Sequence, residues 1–331
     1  MDNKLTKRRL SDYLSYEWIL MIVVAVVMIV VWEFAYTVGA VRLTVGQDFK
    51  YYYDESISSL SATDFDDLLT SDGTFSYDVL KRHYETLTSD YNVLSIRLSI
   101  QEGDVLITDS KEPEEGATGD ERLIRAKSAI DNFDYNIYCL DTMLSDAITY
   151  LNQFVDGEVV GNYQVDIAKL NDSKINDLFL ERMKKDNRFR SEEQKQEGFK
   201  LEKGRIEKLL KEVSDFKYFL DNAPDSAFYR YTKYSQTFEY TENAEEKANY
   251  ETRMNKEISE GRENARYAIN ASALTGGAHN PSEYFKMSGA DNADNVVIMA
   301  FNFLEYQPHL QFEVISFFNT VIRTCSNFIP Q

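Results

Sequence analysis

At 331 residues and 43% hydrophobic content, the chain has enough apolar mass for a folded core, which excludes wholesale disorder. Its 36 basic and 55 acidic residues leave a formal charge of -19, a field that repels nucleic acid and anionic lipid headgroups, so no nucleic-acid partner is expected. Cys139 and Cys325 show neither CxxC nor finger-like spacing, which argues against a disulfide framework and a zinc site; buried free thiols are the simpler reading and one long-range disulfide the other.

The acidic excess begins beyond the N-terminus, where Lys4, Lys7, Arg8 and Arg9 face Asp2, Asp12 and Glu17. The run Trp18 to Trp32 then contains no charge, Gly, Pro or polar side chain, a composition that favours hydrocarbon over water. Its 15 residues of helix reach only about 22 Å against a hydrocarbon core of about 30 Å, so the flanks must contribute. The membrane span is therefore drawn as 17–41, with Glu33 near the outer interface. A cleaved signal peptide is the rival reading, since Val38-Gly39-Ala40 resembles a cleavage site. Against it stand the acidic residues of the leading segment, the bulky Trp32-Glu33-Phe34, and aromatic belts at both ends: Tyr13, Tyr16 and Trp18 before, Trp32, Phe34 and Tyr36 after. The basic cluster predicts a cytoplasmic tail over 1–16 and a C-terminal domain outside the cell membrane, held by the lipid bilayer through 17–41.

Beyond the span, Asp48 to Tyr53 reads as a strand on its aromatic content, Ser56 to Thr70 as a helix, and Phe75 to Leu80 as a second strand. The steps of three and four from Tyr84 through Leu98 predict a helix over 81–101, ended by Gly103. Asp104 to Asp109 is then a third strand, completing β-α-β-α-β with Asp109 at a strand's C-terminal end, where open α/β sheets place ligands. Residues 111–121 form a polar loop. Ile130 to Phe154 carries one apolar stripe and predicts a single helix, and Ile206 to Leu220 repeats the pattern. Between them, Lys184 to Lys203 reads as a solvated helix face or loop. Tyr267 to Ala271 and Asn295 to Phe301 are strands, the second apolar on both faces as in the middle of a covered sheet, and Leu310 to Phe328 is a closing helix. The fold class is thus α/β, with an α/β lobe over 42–120 and 262–331 and a mainly helical region over 121–261.

No GxSxG, HExxH, GxxxxGK[ST] or GxGxxG occurs, so the motifs that best announce an enzyme are missing; no catalytic residue, cofactor or metal ligand is assigned. His83, His279 and His309 sit in separate segments, and the acidic clusters lack calcium-loop spacing. Among 22 Tyr and 20 Phe, the runs Tyr51 to Tyr53 and Phe228 to Tyr240 are candidate sugar-stacking surfaces, although aromatic core packing explains them as well.

The segment Leu98-Ser-Ile-Gln-Glu-Gly-Asp-Val-Leu-Ile-Thr-Asp109 and the element order from Asp48 resemble the extracytoplasmic solute-binding proteins of bacterial importers, of the type II periplasmic-binding fold. The late strand and closing helix resemble that family's return segment, and the anchored ectodomain is similar to single-span proteins of Gram-positive bacteria. The resemblance implies a non-catalytic, solute-binding-like protein that captures or presents a small molecule, with carbohydrate one candidate class, near a membrane transporter. Tyr51, Tyr53, Asp104 and Asp109 are the candidate ligand-binding residues on this reading. The alternative is a scaffold or accessory subunit of a membrane protein complex, docking through the apolar stripes at 130–154 and 206–220.

Overall fold

The computed structural model describes residues 7–39, 43, 46–58, 62–87, 92–133, 136–157, 167–186 and 188–329, in two compact units, Met1–Thr44 and Val45–Gln331. The first unit is helix α1 (Lys7–Gly39), 33 residues long. Its stretch Trp18–Ala35 has a mean hydropathy of 2.6 over 18 residues and is buried by no part of the protein. This one helix is long and apolar enough to cross a membrane. Residues 7–16, expected as a tail, continue the same helix, and positions 40 and 41 of the expected span lie outside the described residues.

The second unit carries a sheet of six strands. Strand β1 (Asp48–Asp54), helix α2 (Ala62–Ser71), β2 (Lys81–Leu87), helix α3 (Asn92–Ser99) and β3 (Val105–Asp109) follow the expected β-α-β-α-β order. Strands β2 and β3 flank β1, both parallel to it, as helical crossovers require. Two boundaries differ from expectation. The strand expected at 75–80 begins only at Lys81, which pairs with Asp48, and the helix expected over 81–101 shrinks to α3. Strand β2 lies at the sheet edge with most side chains in solvent, so its polar sequence carries no period-two apolar signal, and its place follows from the backbone ladder to β1.

The helix expected over 130–154 is two helices, α4 (Arg125–Asn132) and α5 (Leu140–Leu151). Between them Ile137 bridges Phe301, and the Tyr138 amide donates to the Ala300 carbonyl at 2.9 Å. Ile130, Phe133 and Ile137 pack on one face of the sheet, whereas Leu140, Met143, Ala147 and Leu151 pack on the other. The unbroken steps of three and four therefore hide a crossing from one face to the other.

Helices α6 (Asp172–Arg182) and α7 (Glu192–Asn222) follow, then strand β4 (Phe228–Tyr231), helices α8 (Ser235–Tyr240) and α9 (Ala244–Ser259), strands β5 (Ala265–Asn270) and β6 (Val296–Ala300), and helix α10 (Glu313–Cys325). The sheet order is β2-β1-β3-β6-β5-β4, with β6 antiparallel to β3 and to β5, and β4 antiparallel to β5. The strand within the expected helical region thus extends the same sheet. Both cysteines are free and buried, which decides against the long-range disulfide. The stripe of α7 packs with α5 and α10 on the face that also buries Tyr51 and Phe65.

The polar stretch from Lys184 does not remain solvated throughout. Gly198 lies against Phe179 and Phe189, where an added Cβ would come within 2.7 Å of their rings, and Glu202 and Arg205 are buried. Glu202 receives Arg182 at 2.7 and 3.0 Å, Arg205 at 2.7 and 3.0 Å, and the Tyr77 hydroxyl at 3.0 Å. Arg205 also donates to Tyr150 at 2.7 Å and to the His309 carbonyl at 2.6 Å, while Arg188 reaches the fully buried Asp78. Burial alone would raise the Glu202 pKa, but Arg205 and Arg182 outweigh it and hold the carboxyl well below the usual carboxylate range. This network ties the loop before β2 to α6, α7 and the segment leading into α10. Glu202→Leu, which leaves two guanidinium groups facing each other out of water, costs about 3–5 kcal/mol, read by denaturant unfolding of the full chain in detergent.

Candidate functional site

The four residues singled out from the sequence do not converge. Tyr51 and Tyr53 point to one face of β1 and are fully buried; Tyr51 packs 5.9 Å from Phe65 and 5.7 Å from Phe317 between ring centroids. Tyr52, on the opposite face, meets Phe301 at 6.3 Å. Period-two alternation thus spends the aromatic run on the two cores of one sheet. Asp104 precedes β3 and accepts the Lys50 amide at 2.8 Å. Asp109 closes β3 at its other end, accepting the Lys111 amide at 3.1 Å and lying 3.6 Å from Arg125. Arg125 also pairs with Asp54, at the C-terminal end of β1, and with Glu55 at 3.1 Å. The carboxylates at the C-terminal ends of the parallel strands are therefore gathered around one guanidinium.

Polar groups converge instead at the opposite end of the sheet. There a cavity of about 250 Å³ is lined by residues that include Tyr138, Cys139, Lys233, Tyr234, Arg253, Lys256, Glu257, Arg262, Tyr267 and Asn302. Strand register explains the meeting: Tyr231 pairs with Ala265, and Val105 with Ala300, so the ends of β4 and β6 and the start of β5 lie together. The chain leaving β4 is pinned by Asp131, at the end of α4. Its carboxylate accepts the Tyr231 hydroxyl at 2.8 Å, the Tyr234 amide at 2.6 Å and the Thr237 hydroxyl at 2.6 Å. Burial raises the Asp131 pKa, and these three donors offset part of the rise. The turn they hold places Tyr234 at a φ of 69°, in the left-handed region that costs an L-residue about 1–2 kcal/mol.

Helix α9 forms the opposing wall. Asn243 caps it by accepting the amides of Glu245 and Glu246 at 2.9 and 3.2 Å. After the helix the chain turns at Gly261, with φ at 78°, and Arg262 folds back onto Glu257 at 2.6 and 2.9 Å and onto Glu260. The Glu257 carboxyl is held below its ordinary range, first by the Arg262 hydrogen bonds, despite its burial, with the charges of Lys233 and Lys256 adding to the effect. Tyr267, 1% exposed, and Lys233, 7% exposed, form the inner lining, the ammonium 5.4 Å from the ring centroid. Arg253 and Lys256 stand exposed at the rim, and the Arg253 guanidinium lies 5.7 Å from the Tyr234 ring centroid and 5.9 Å from that of Tyr250.

Of these residues Lys233 and Tyr234 fall in the stretch Phe228 to Tyr240 that the sequence marks as a candidate surface. Arg253 and Lys256 sit three apart on a polar helix inside the region expected to be mainly helical, and Lys233 carries no local sign of burial. Comparison with protein-family models, curated proteins and solved structures gives no significant match to this chain.

Asp104 supplies a pH test. Burial pushes its carboxyl from 3.8 up to about 7, with the Lys50 amide offsetting part of the rise. The folded chain keeps this proton from about pH 4 to about pH 7 while the unfolded chain has lost it, so stability falls as pH rises through that window, by at most about 1.4 kcal/mol per pH unit. Asp104→Asn, which retains an oxygen for the Lys50 amide, melts above the parent by a margin that is small at about pH 4 and grows until about pH 7 in calorimetry of the full chain. An equal offset at both values would show the group already ionised.

Proposed function

We propose that this chain is a membrane-anchored, extracytoplasmic, non-catalytic protein that captures a small molecule in the cavity between β4, β5 and α9 and presents it near a membrane transporter. The observation that carries the reading is the cavity itself, where aromatic and charged side chains from four separated segments meet around an inner wall of Tyr267 and Lys233. Its volume of about 250 Å³ lies below the roughly 300–1,000 Å³ typical of small-molecule sites and suits nothing larger than a single-ring compound. The apolar helix Trp18–Ala35 supports the anchor, and the basic residues that precede it support a cytoplasmic N-terminus.

The scaffold reading draws less support. The apolar stripes that motivated it are spent on the protein's own core, with Leu140, Ala147 and Leu151 of α5 and Ile206, Val213 and Phe216 of α7 all buried.

Two measurements test the proposal. The full chain remains in membranes after carbonate washing, and protease added outside intact protoplasts removes the C-terminal domain; protection of that domain would overturn the orientation. In a thermal-shift screen of the full chain in lipid nanodiscs against sugars, amino acids and organic acids, at least one compound raises the melting temperature. A flat response to every compound would overturn capture.

A further inference from the structure

We propose that β2 is an interface at which a second copy of this chain pairs strand to strand, joining two six-stranded sheets into one across a two-fold axis. This interface is separate from the cavity and from whatever the cavity holds. Strand β2 stands first in the sheet order, and among the described residues no strand pairs with its outer side. Lys81 is the ladder partner of Asp48, and its amide donates to the Gln47 carbonyl at 3.0 Å. Alternation along a parallel ladder therefore turns the amides and carbonyls of Lys81, His83 and Glu85 toward β1 and those of Arg82, Tyr84 and Thr86 away from the sheet. All residues of the strand except Arg82 and Leu87 are exposed. An edge of this kind is a template for a further strand.

The edge fits a copy of itself. An antiparallel copy centred on Tyr84 sets Tyr84 against Tyr84, Arg82 against Thr86 and His83 against Glu85, and every outward amide and carbonyl of the two strands then finds a partner. Centring on His83 would set Thr86 against Leu80, whose amide is already given to the Gln47 carbonyl at 2.7 Å. Centring on Glu85 would set two carboxylates directly opposite each other, which destabilises a strand pair. The Tyr84 register opposes no like charges and places an imidazole beside a carboxylate on each side of the axis. Charged side chains on an edge deter strands that do not match them, so Lys81, Arg82 and Glu85 select for this partner. Tyr84 is braced against the Tyr51 and Tyr53 rings at 6.0 and 6.5 Å and keeps 42% of its surface for its counterpart.

Helix α3 adds an apolar contact on one face of the joined sheet. Leu94 and Leu98 bury its inner side, and Arg97 reaches Glu85 of β2 at 3.5 Å, so the side that carries Arg97 is turned toward the edge. Val93 and Ile100, four residues before Arg97 and three after it, share that side, with Ile96 next to them. The three are 43%, 54% and 64% exposed, an apolar stripe for which the chain itself has no use. A two-fold axis through the Tyr84 pair stands normal to the sheet, so the face that carries α3 in one copy runs on into the face that carries it in the other. The two stripes thus meet above the new strand pair, and each patch contacts its own equivalent, as a closed dimer requires. On the anchored reading, both copies lie in one membrane, and the raised local concentration lets an interface of this modest size suffice.

The test is disulfide crosslinking of the full chain in membranes under a mild oxidant. Tyr84→Cys lies on the axis, where facing Cα atoms about 5.5 Å apart suit a disulfide, and gives a linked species of twice the chain's mass. The parent chain, whose two cysteines are buried, and Leu201→Cys, exposed on α7, stay monomeric. Thr86→Pro removes an outward amide while sparing the ladder to β1, and added to Tyr84→Cys it lowers the yield about tenfold or more; Ile96→Glu, at an exposed helix position, does the same. Calorimetry identifies which of the two still melts as the parent does, and either one suffices. A yield from Tyr84→Cys no higher than from Leu201→Cys overturns the pairing, as does a yield indifferent to these substitutions in chains that still fold. A linked species whose mass is not twice the chain's places a different chain on the edge and overturns the second copy.

Discussion

The pairing of β3 with β6 is the constraint on which the rest of the second unit depends. Five residues of each strand run antiparallel, Val105 with Ala300 through Asp109 with Val296, and every one of the ten is buried. The ladder joins a parallel half built early in the chain to an antiparallel half built late, and each half alone would expose a hydrophobic edge. Because both faces of these strands are covered, helices must be supplied to both, and the chain crosses from one face to the other between Ile137 and Leu140 to do so. The same ladder aligns the strand ends, and that alignment brings Lys233, Tyr267 and Asn302 to one cavity.

The two faces are closed by different physics. One relies on aromatic packing: Phe65, Phe317 and Tyr51 meet edge-on or tilted within 6 Å, and Phe216 stacks on Phe318 at 6.0 Å. At its margin the loop before β2 is fastened through charge, with Glu202, Asp78 and three arginines substituting for apolar contact. Such a network adds little net stability over well-packed hydrophobic side chains, but breaking it strands a charge out of water, so it restricts how α6 and α7 can dock. Burial and the neighbouring Arg182 and Arg205 push His309 down to about 3, which keeps it neutral beside them.

The cavity obeys a different electrostatic rule from the chain around it. Carboxylates dominate the surface and, at the C-terminal ends of β1 and β3, surround a single arginine. At the other end of the sheet, cations outnumber carboxylates among the described residues that line a small open cavity. Charge sign therefore separates two ends of one sheet, and the end rich in cations is also walled by aromatic rings.

Much of this architecture is legible in residue order. The apolar run at Trp18 announces the membrane-competent helix because no soluble core would require fifteen uninterrupted apolar side chains. The strand at Asn295 is apolar on both faces because it sits mid-sheet, and the Gly103-Asp104 step marks the turn into β3. Strand β2 was hidden because edge strands need no hydrophobic pattern, and the break between α4 and α5 was hidden because a helix that changes faces keeps its local periodicity. The nominated tyrosines Tyr51 and Tyr53 are buried in the core, since aromatic content records burial and binding alike. The sequence by itself determined the membrane-competent helix, the α/β class and the acidic field, since these follow from composition and short-range periodicity. Tertiary structure alone decided that Lys233, Arg253 and Lys256 share a wall with Tyr267, because that proximity comes from long-range strand register, to which no local pattern responds.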